Sequence, residues 1–376
     1  MLRVALQMLL GDKTKYITLV LGLAFASLLM NQQGAIFLGL LKQGTGPLQN
    51  IHQPDLWVMD PSTTWVAEYR SLSDQKLARI RSVAGVEWAE PFFNNWAVIE
   101  LPDGTFKKVQ ILGVGRSTLV GRPAVITGGR VEDLRAPDAI IVEERSRAMV
   151  GNPKIGDTLK INDHRAVVVG FCEAARGFES NAMVYTTFDN AVRFTPVGRN
   201  AISYILVKGK PGVDVGRVQR DIASLGDLVA YTPDEFRLVS TRFITVATGI
   251  GVNFGITIAL GFLVGLFLSA SVFLQFTLEN LRYFAVLKAL GARTRTLVGM
   301  VITQAMVVGV IGYSIGVGLA GFFSIISKRL SSELSVLYPW QLMAISLAAT
   351  LLVILGASLL SIRRVIAVEP ARVFAS

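Results

Sequence analysis

Four stretches of this chain carry no charge and are long enough to cross a bilayer. Residues 17–41 give 25 uncharged positions. At ~1.5 Å per residue a helix there spans ~37 Å, against a hydrocarbon layer of ~30 Å. Residues 245–278, 297–327 and 342–362 are the other three. A charge at the centre of such a helix costs about 2.5–3.5 kcal/mol, and none of the four has one. The first run is too long for the apolar region of a cleaved leader and no small-x-small site follows it cleanly, so the sequence predicts a retained helix. The expected layout is an amphipathic N-terminal segment (1–16), a first span (17–41), a large domain (42–240) and a second span with an outer extension (241–278). A connecting segment (279–296), a third span (297–327), a short loop (328–341), a fourth span (342–362) and a tail (363–376) complete it.

Between the first two spans the period changes. Residues 56–59 read as a strand ended by Asp60-Pro61. Ser73 suits the N-cap of a helix that turns Leu77, Ile80 and Val83 inward and stops at Gly85. Residues 86–101 and 106–114 flank Pro102-Asp103-Gly104, and residues 158–161 and 166–171 flank Asn162-Asp163; both read as hairpins. Further strands are expected at 139–142 and 204–207, and a helix at 213–225. The fold class predicted is an α-helical membrane protein with four transmembrane helices and an α+β extracytoplasmic domain, in two lobes, between helices one and two.

Charge fixes the orientation expected of the spans. Residues 42–240 hold 24 Lys/Arg against 23 Asp/Glu, while the remainder holds 13 against only four, so the net charge of +10 sits almost wholly on the apolar part. Arg3, Lys13 and Lys15, then Arg282, Lys288, Arg293 and Arg295, then Arg363, Arg364 and Arg372 flank spans on one side; Lys328 and Arg329 flank the other. Positive residues stay inside, which places both termini in the cytoplasm and residues 42–240 outside it. A nucleic-acid binder would carry its basic face on the folded domain, so that class is set aside. Basic flanks suit membrane lipid instead.

The supply of chemistry is thin. The single cysteine, Cys172, permits no intrachain disulfide, and a domain of this length can be stable without one. Two histidines, His52 and His164, are too few for a zinc site. Cys172 with His164 is a conceivable nucleophile pair with nothing further to support it. Glu143-Glu144 read as a solvated helix start. Gly209-Lys210 is followed by Pro211 where a phosphate-binding loop needs Ser or Thr. No catalytic residue, metal or cofactor is expected in this chain.

Three features of the membrane part stand out. Gly251 and Gly255, Gly261 and Gly265, and Gly312 and Gly316 lie four apart, spacing that lets helices approach closely and that suits a dimer face. Asn31, Gln32 and Gln33 sit deep in the first span, as hydrogen-bonding glue or as the lining of a cargo route. Between spans two and three, Leu281, Phe284, Ala285 and Lys288 share one stripe of a short helix that Gly291 stops. Such a stripe lies on lipid or plugs into a partner's groove.

The segment ENLRYFAVLKALGARTRTLVGMVITQAMVVGVIG (279–312) resembles the cytoplasmic helix and following span of the MacB/FtsX-type permeases of ABC transporters, with Arg282 and then Lys288-Ala289-Leu290-Gly291-Ala292 on the family pattern. Phe284-Ala285-Val286 departs from its usual Glu-Ile-Gly. The closing stretch at 364–371 is similar to the family's, as is the one-span, domain, three-span layout, and MLLGDKTKYITLVLGLAFASLLMNQQGAIFLGLL (8–41) looks like the DevC branch. The resemblance implies an inner-membrane permease, two copies beside cytoplasmic ATPase subunits that bind ATP and Mg. Glu279, Leu281, Arg282, Phe284, Lys288, Leu290 and Gly291 would form the coupling segment, with Leu281, Phe284 and Leu290 as knobs in the ATPase. It further implies export of a lipid or other amphiphile through a periplasmic membrane-fusion adaptor and a TolC-like outer-membrane duct. An FtsX-like regulator of a cell-wall hydrolase and a lipoprotein-releasing permease are the alternatives.

Overall fold

The computed structural model describes residues 2–11, 13–179, 181–196, 201–330 and 335–367, with side chains throughout except at residues 2 and 328–330. In chain order, α1 (Leu2–Gly11), α2 (Lys13–Gly44) and α3 (Gly46–Asn50) lead to β1 (Leu56–Met59), α4 (Asp74–Arg81), β2 (Val86–Glu100), β3 (Phe106–Val114), β4 (Val125–Gly129) and β5 (Ala139–Glu143). Next come β6 (Thr158–Ile161), β7 (His164–Glu173), β8 (Ala182–Thr187), α5 (Phe188–Phe194), β9 (Tyr204–Gly209), α6 (Val215–Ala223), β10 (Val229–Tyr231) and α7 (Pro233–Arg242). The chain ends with α8 (Ile250–Glu279), α9 (Leu281–Ala289), α10 (Thr294–Leu330) and α11 (Trp340–Ile366). Contacts divide it into two units, residues 40–249 and residues 1–39 with 250–376.

Residues 40–249 are built on a ten-stranded mixed sheet in the order β10-β1-β9-β2-β3-β8-β5-β7-β4, with β6 beside β2 and β7. Strand β2 makes the two lobes one: residues 86–92 pair with β9, and residues 93–100 pair with β3. β3 with β8 and β5 with β7 are parallel, and β5 and β8 are buried along their whole length, as strands covered on both faces must be. The β6–β7 hairpin closes through Asn162 and Asp163, both at positive φ (43° and 65°), the geometry a two-residue turn demands.

An aromatic core centres on Trp57, fully buried, with Phe92 and Tyr204 edge-on at 5.7 and 5.4 Å and Phe236 at 6.0 Å. Tyr204 anchors the neighbouring segment by donating its hydroxyl to Val66 O at 2.8 Å. Glu143 corrects the solvated reading of the acid pair. Its carboxylate is buried, accepting from Ser146 Oγ at 2.6 Å and Arg145 N at 3.1 Å, with Arg176 at 3.9 Å. Glu144 does face out, paired with Arg147 at 2.7 Å.

The second span does not run as one rod from an outer extension. α7 starts on a capping box between Thr232 and Glu235, passes into a π-turn at Phe243–Ala247, and breaks at Gly249, where φ is +73°. α8 begins after the break.

Four helices of residues 1–39 and 250–376 are long and apolar enough to cross a membrane: α2, α8, α10 and α11. α2 is their axis, with 61% of its apolar window buried against 22–33% for the others. Glycines bring its neighbours close. A Cβ on Gly312 would stand 2.7 Å from Leu23 Cβ, one on Gly316 would stand 2.6 Å from Ala24 O, and one on Gly265 would collide with Ala26. Gly261 meets Leu29 at 3.2 Å. Among the six glycines expected at a dimer face, these four are used within the chain, whereas Gly255 faces open space and Gly251 is half-buried.

Candidate functional site

Asn31 lies fully buried where α2 meets the start of α11. Its Oδ1 accepts from Ser346 Oγ at 2.9 Å and Tyr338 Oη at 3.0 Å, and its Nδ2 donates to Ser27 O at 2.8 Å. Leu337 N donates to Ala35 O at 3.0 Å beside it. These bonds are of the kind the hydrogen-bonding-glue reading of the amide cluster calls for. Gln32 and Gln33 are half-buried.

The opposite end of the same unit holds the short helix α9. Asn280 begins it, with Nδ2 donating back to Phe276 O at 2.8 Å. Its end is a Schellman closure: Gly291 N donates to Lys288 O at 3.1 Å and Ala292 N to Leu287 O at 3.0 Å. Gly291 stands at φ +90°, in open space, so the turn requires glycine for its backbone alone. Glu279 carries an ion pair with Lys15 of α2 and accepts from Gln275 at 3.2 Å.

The stripe read from the sequence is present, but it points into the chain. Phe284 has no exposed surface and packs among Ala5 of α1, Leu297, Met300 and Val301 of α10 and Val365 of α11, with Leu287 and Ala292 at the edge. Ala285 is buried beside it, Leu281 and Lys288 are half-buried, and Lys288 Nζ donates to Ile366 O at 3.2 Å. Phe284 therefore cannot be a knob for a partner; it is the pin that fixes α9 to three other helices. Gln304, also buried, fastens α1 by donating to Ala5 O at 2.8 Å.

What α9 offers outward is a second stripe, of which the sequence reading named Leu290 as a knob and passed over Tyr283 and Val286. Tyr283, Val286 and Leu290 follow the i, i+3, i+7 spacing of one helix face, and Tyr283 is 62% and Leu290 80% exposed. Arg282, Arg293, Arg295, Arg363 and Arg364 are exposed at this end as well. The result is an apolar ridge with basic surroundings on a rigidly seated helix. Residues 368–371 of the closing stretch, and Arg372, lie outside the described residues.

Elsewhere, the conceivable pair of Cys172 with His164 does not assemble. His164 and Cys172 sit at opposite ends of β7, eight residues and ~26 Å apart at strand rise. Cys172 is buried, and that burial, with Glu143 and Glu144 nearby, pushes its thiol well above the ordinary range. Among the described residues no three His, Cys, Asp or Glu side chains group as metal ligands.

Comparison with known proteins gives this arrangement a family. A model of the MacB-like periplasmic core domain matches residues 17–225, and one of the FtsX-like permease C-terminal region matches residues 255–370. An uncharacterized ABC transporter permease of Mycobacterium tuberculosis is 26% identical over 311 residues, covering 80% of this chain and 78% of its own. Another, of Mycobacterium bovis, is 26% identical over 247 residues, covering 65% and 64%. Among solved structures, the periplasmic region of MacB from Actinobacillus actinomycetemcomitans is similar at 12% identity and a TM-score of 0.41, covering 51% of this chain and 94% of that one. The periplasmic-core match alone takes in more than half of the residues and the permease match takes in the helices that follow, so the chain belongs to the MacB/FtsX-type family of ABC-transporter permeases.

Proposed function

We propose that this permease is driven through the outward face of α9, where Tyr283, Val286 and Leu290 dock into a groove of its ATPase and the arginines around them meet acidic residues at the rim. An ABC permease implies a partner ATPase. Nucleotide and Mg²⁺ would be bound there, and none in this chain. The observation that carries the reading is the pairing of opposite faces on one short helix, Phe284 fully buried and Leu290 80% exposed. A force applied to Leu290 passes through Phe284 into α1, α10 and α11 without first having to order a loop.

The cargo in this reading is a lipid or other amphiphile, exported in the manner of the DevC branch, with a periplasmic adaptor and an outer-membrane duct beyond it. Both termini and α9 face the cytoplasm, on the strength of the ten basic residues flanking that side against two on the other. Two copies assemble, with the half-turn around Gly255 as the open glycine surface for a second chain.

The test is a Val286→Asp/Leu290→Asp double variant. Both positions are exposed, so the protein should insert and melt normally while its ATPase no longer co-purifies. Unchanged co-purification would refute the docking face. For orientation, a cysteine placed at the exposed hairpin residue Asp103 should react with an impermeant maleimide added outside the inner membrane, with little background from buried Cys172. Labelling only from the cytoplasmic side would invert the topology.

A further inference from the structure

Two adjoining cavities open between residues 65–71 and strands β2 and β3, of about 310 Å³ and about 60 Å³, with Ala67, Trp96 and Gln110 lining both. The larger falls at the lower end of the range that small-molecule sites occupy. Its floor is a fixed amide pair. Gln110 Nε2 donates to Asn94 Oδ1 at 2.7 Å, and Asn94 Nδ2 donates to Val66 O at 3.3 Å, with both residues buried. That leaves Gln110 Oε1 as an acceptor held in place by bonds made elsewhere on the same side chain.

The charge of the groove is lopsided. Glu68 lines the larger compartment, and among the described residues no cation pairs with its carboxylate. Glu179 lines the smaller one but is already matched, by Lys108 Nζ at 2.7 Å. Lys108 is spent twice over, since its ammonium also lies 4.3 Å from the centre of the Trp96 ring. The lining therefore offers an unmatched carboxylate, neutral acceptors and the aromatic rings of Tyr69 and Trp96, and no lysine or arginine. The smaller compartment is apolar at its core. Trp65 meets Phe178 edge to face at 5.5 Å and is locked by donating Nε1–H to Gly44 O at 2.7 Å.

A carboxylate beside aromatic faces is the chemistry that receives a positively charged nitrogen, and it repels an anion. We propose that this groove is a binding site for an organic cation, an amine or quaternary ammonium group carried on an apolar body. The charged nitrogen sits against Glu68 and the Tyr69 ring, since Lys108 already lies over Trp96, with the apolar body towards Trp65 and Phe178. The inference deepens the export reading by giving the amphiphile a charge. It rests on that reading only for the claim that the ligand is cargo, because occupancy of the groove requires no ATPase.

The experiment uses the full chain in maltoside micelles and three probes with the same tail, octyltrimethylammonium, octyl sulfate and octyl glucoside, each below its own micelle concentration. Calorimetry, with empty micelles subtracted, should show saturable binding of the cation and none of the sulfate. Glu68→Gln, at an exposed position that leaves the melting curve unmoved, should weaken cation binding roughly tenfold. Saturable binding of the sulfate or glucoside as tight as that of the cation would overturn the assignment, as would no saturation by the cation or an unchanged affinity in Glu68→Gln. ATPase co-purification from the same preparation keeps the two readings apart: a groove that binds nothing while the ATPase still attaches removes the site and leaves the coupling face standing.

Discussion

Asn31→Leu separates glue from conduit. The substitution keeps the branched outline and heavy-atom count of the side chain, though Leu is bulkier, and removes two hydrogen bonds that tie α2 to other segments, from Ser346 and from Tyr338. Interhelical hydrogen bonds in membranes average about 0.6 kcal/mol and reach about 1.7, so the pair is worth about 1–3 kcal/mol. Ser346 keeps a second acceptor in Met343 O at 3.0 Å, and Tyr338 is only half-buried, so neither hydroxyl is stranded; the lower half of that range is expected. The Asn31–Ser27 bond is local to α2 and adds little.

Reversible unfolding in mixed micelles measures this, with Asn31→Leu, Ser346→Ala and the double variant forming a cycle. A coupling energy of about 0.5–1.5 kcal/mol is expected, because residues that share a hydrogen bond do not act independently. Additivity within about 0.3 kcal/mol, or a more stable Asn31→Leu protein, would show that the buried amide is not holding α2 to α11. Loss of transport with no loss of stability would return the cargo-route reading to first place.

Three further outcomes follow from the same geometry. Phe284→Ala should cost about 3–5 kcal/mol of stability, while Leu290→Ala should stay within about 0.5 kcal/mol, both read from melting midpoints; equal effects would mean α9 is not seated as described. Gly291→Ala meets no neighbour, so its whole cost is the left-handed backbone, about 1–2 kcal/mol, read by thermal unfolding; a neutral result would place the turn in another conformation. Cys172, its thiol pushed up by burial, should resist maleimide at pH 8 in the native protein and react on denaturation; rapid native labelling would contradict its place in the core.

Much of the fold is legible from hydropathy alone. Uncharged apolar runs of this length read as spanning helices, so all four candidate membrane helices can be read from the sequence. In the domain, Asn162-Asp163 announces its hairpin because few other residues tolerate two consecutive positive φ values. β8 is harder to see. Its Ala-Met-Val-Tyr-Thr-Thr run is buried on both faces, so it shows no alternation to separate it from a helical or irregular segment. The exposed β4 is hidden for the opposite reason, since Val125–Gly129 ends on two glycines and reads as a turn. Glu143 is invisible as a buried acid because the hydroxyl and the backbone amide that satisfy it come from a turn the sequence does not advertise.

Helix α9 shows where such reading stops and why. Periodicity groups Leu281, Phe284, Ala285 and Lys288 on one face correctly, yet it says nothing about which surface covers that face. In a soluble domain the ambiguity is small, because one core awaits every apolar stripe. At the end of a membrane bundle three surfaces compete for it: lipid, a partner protein and the chain's own helices. Here the chain's own helices win, since α1, α10 and α11 together surround Phe284 while a partner would have to do so from one side. Having given Phe284 to that seat, α9 keeps Tyr283, Val286 and Leu290 for an outside surface. Under the proposed docking, a short helix apolar on both faces, with one face seated in its own bundle, can pass on a push received at the other.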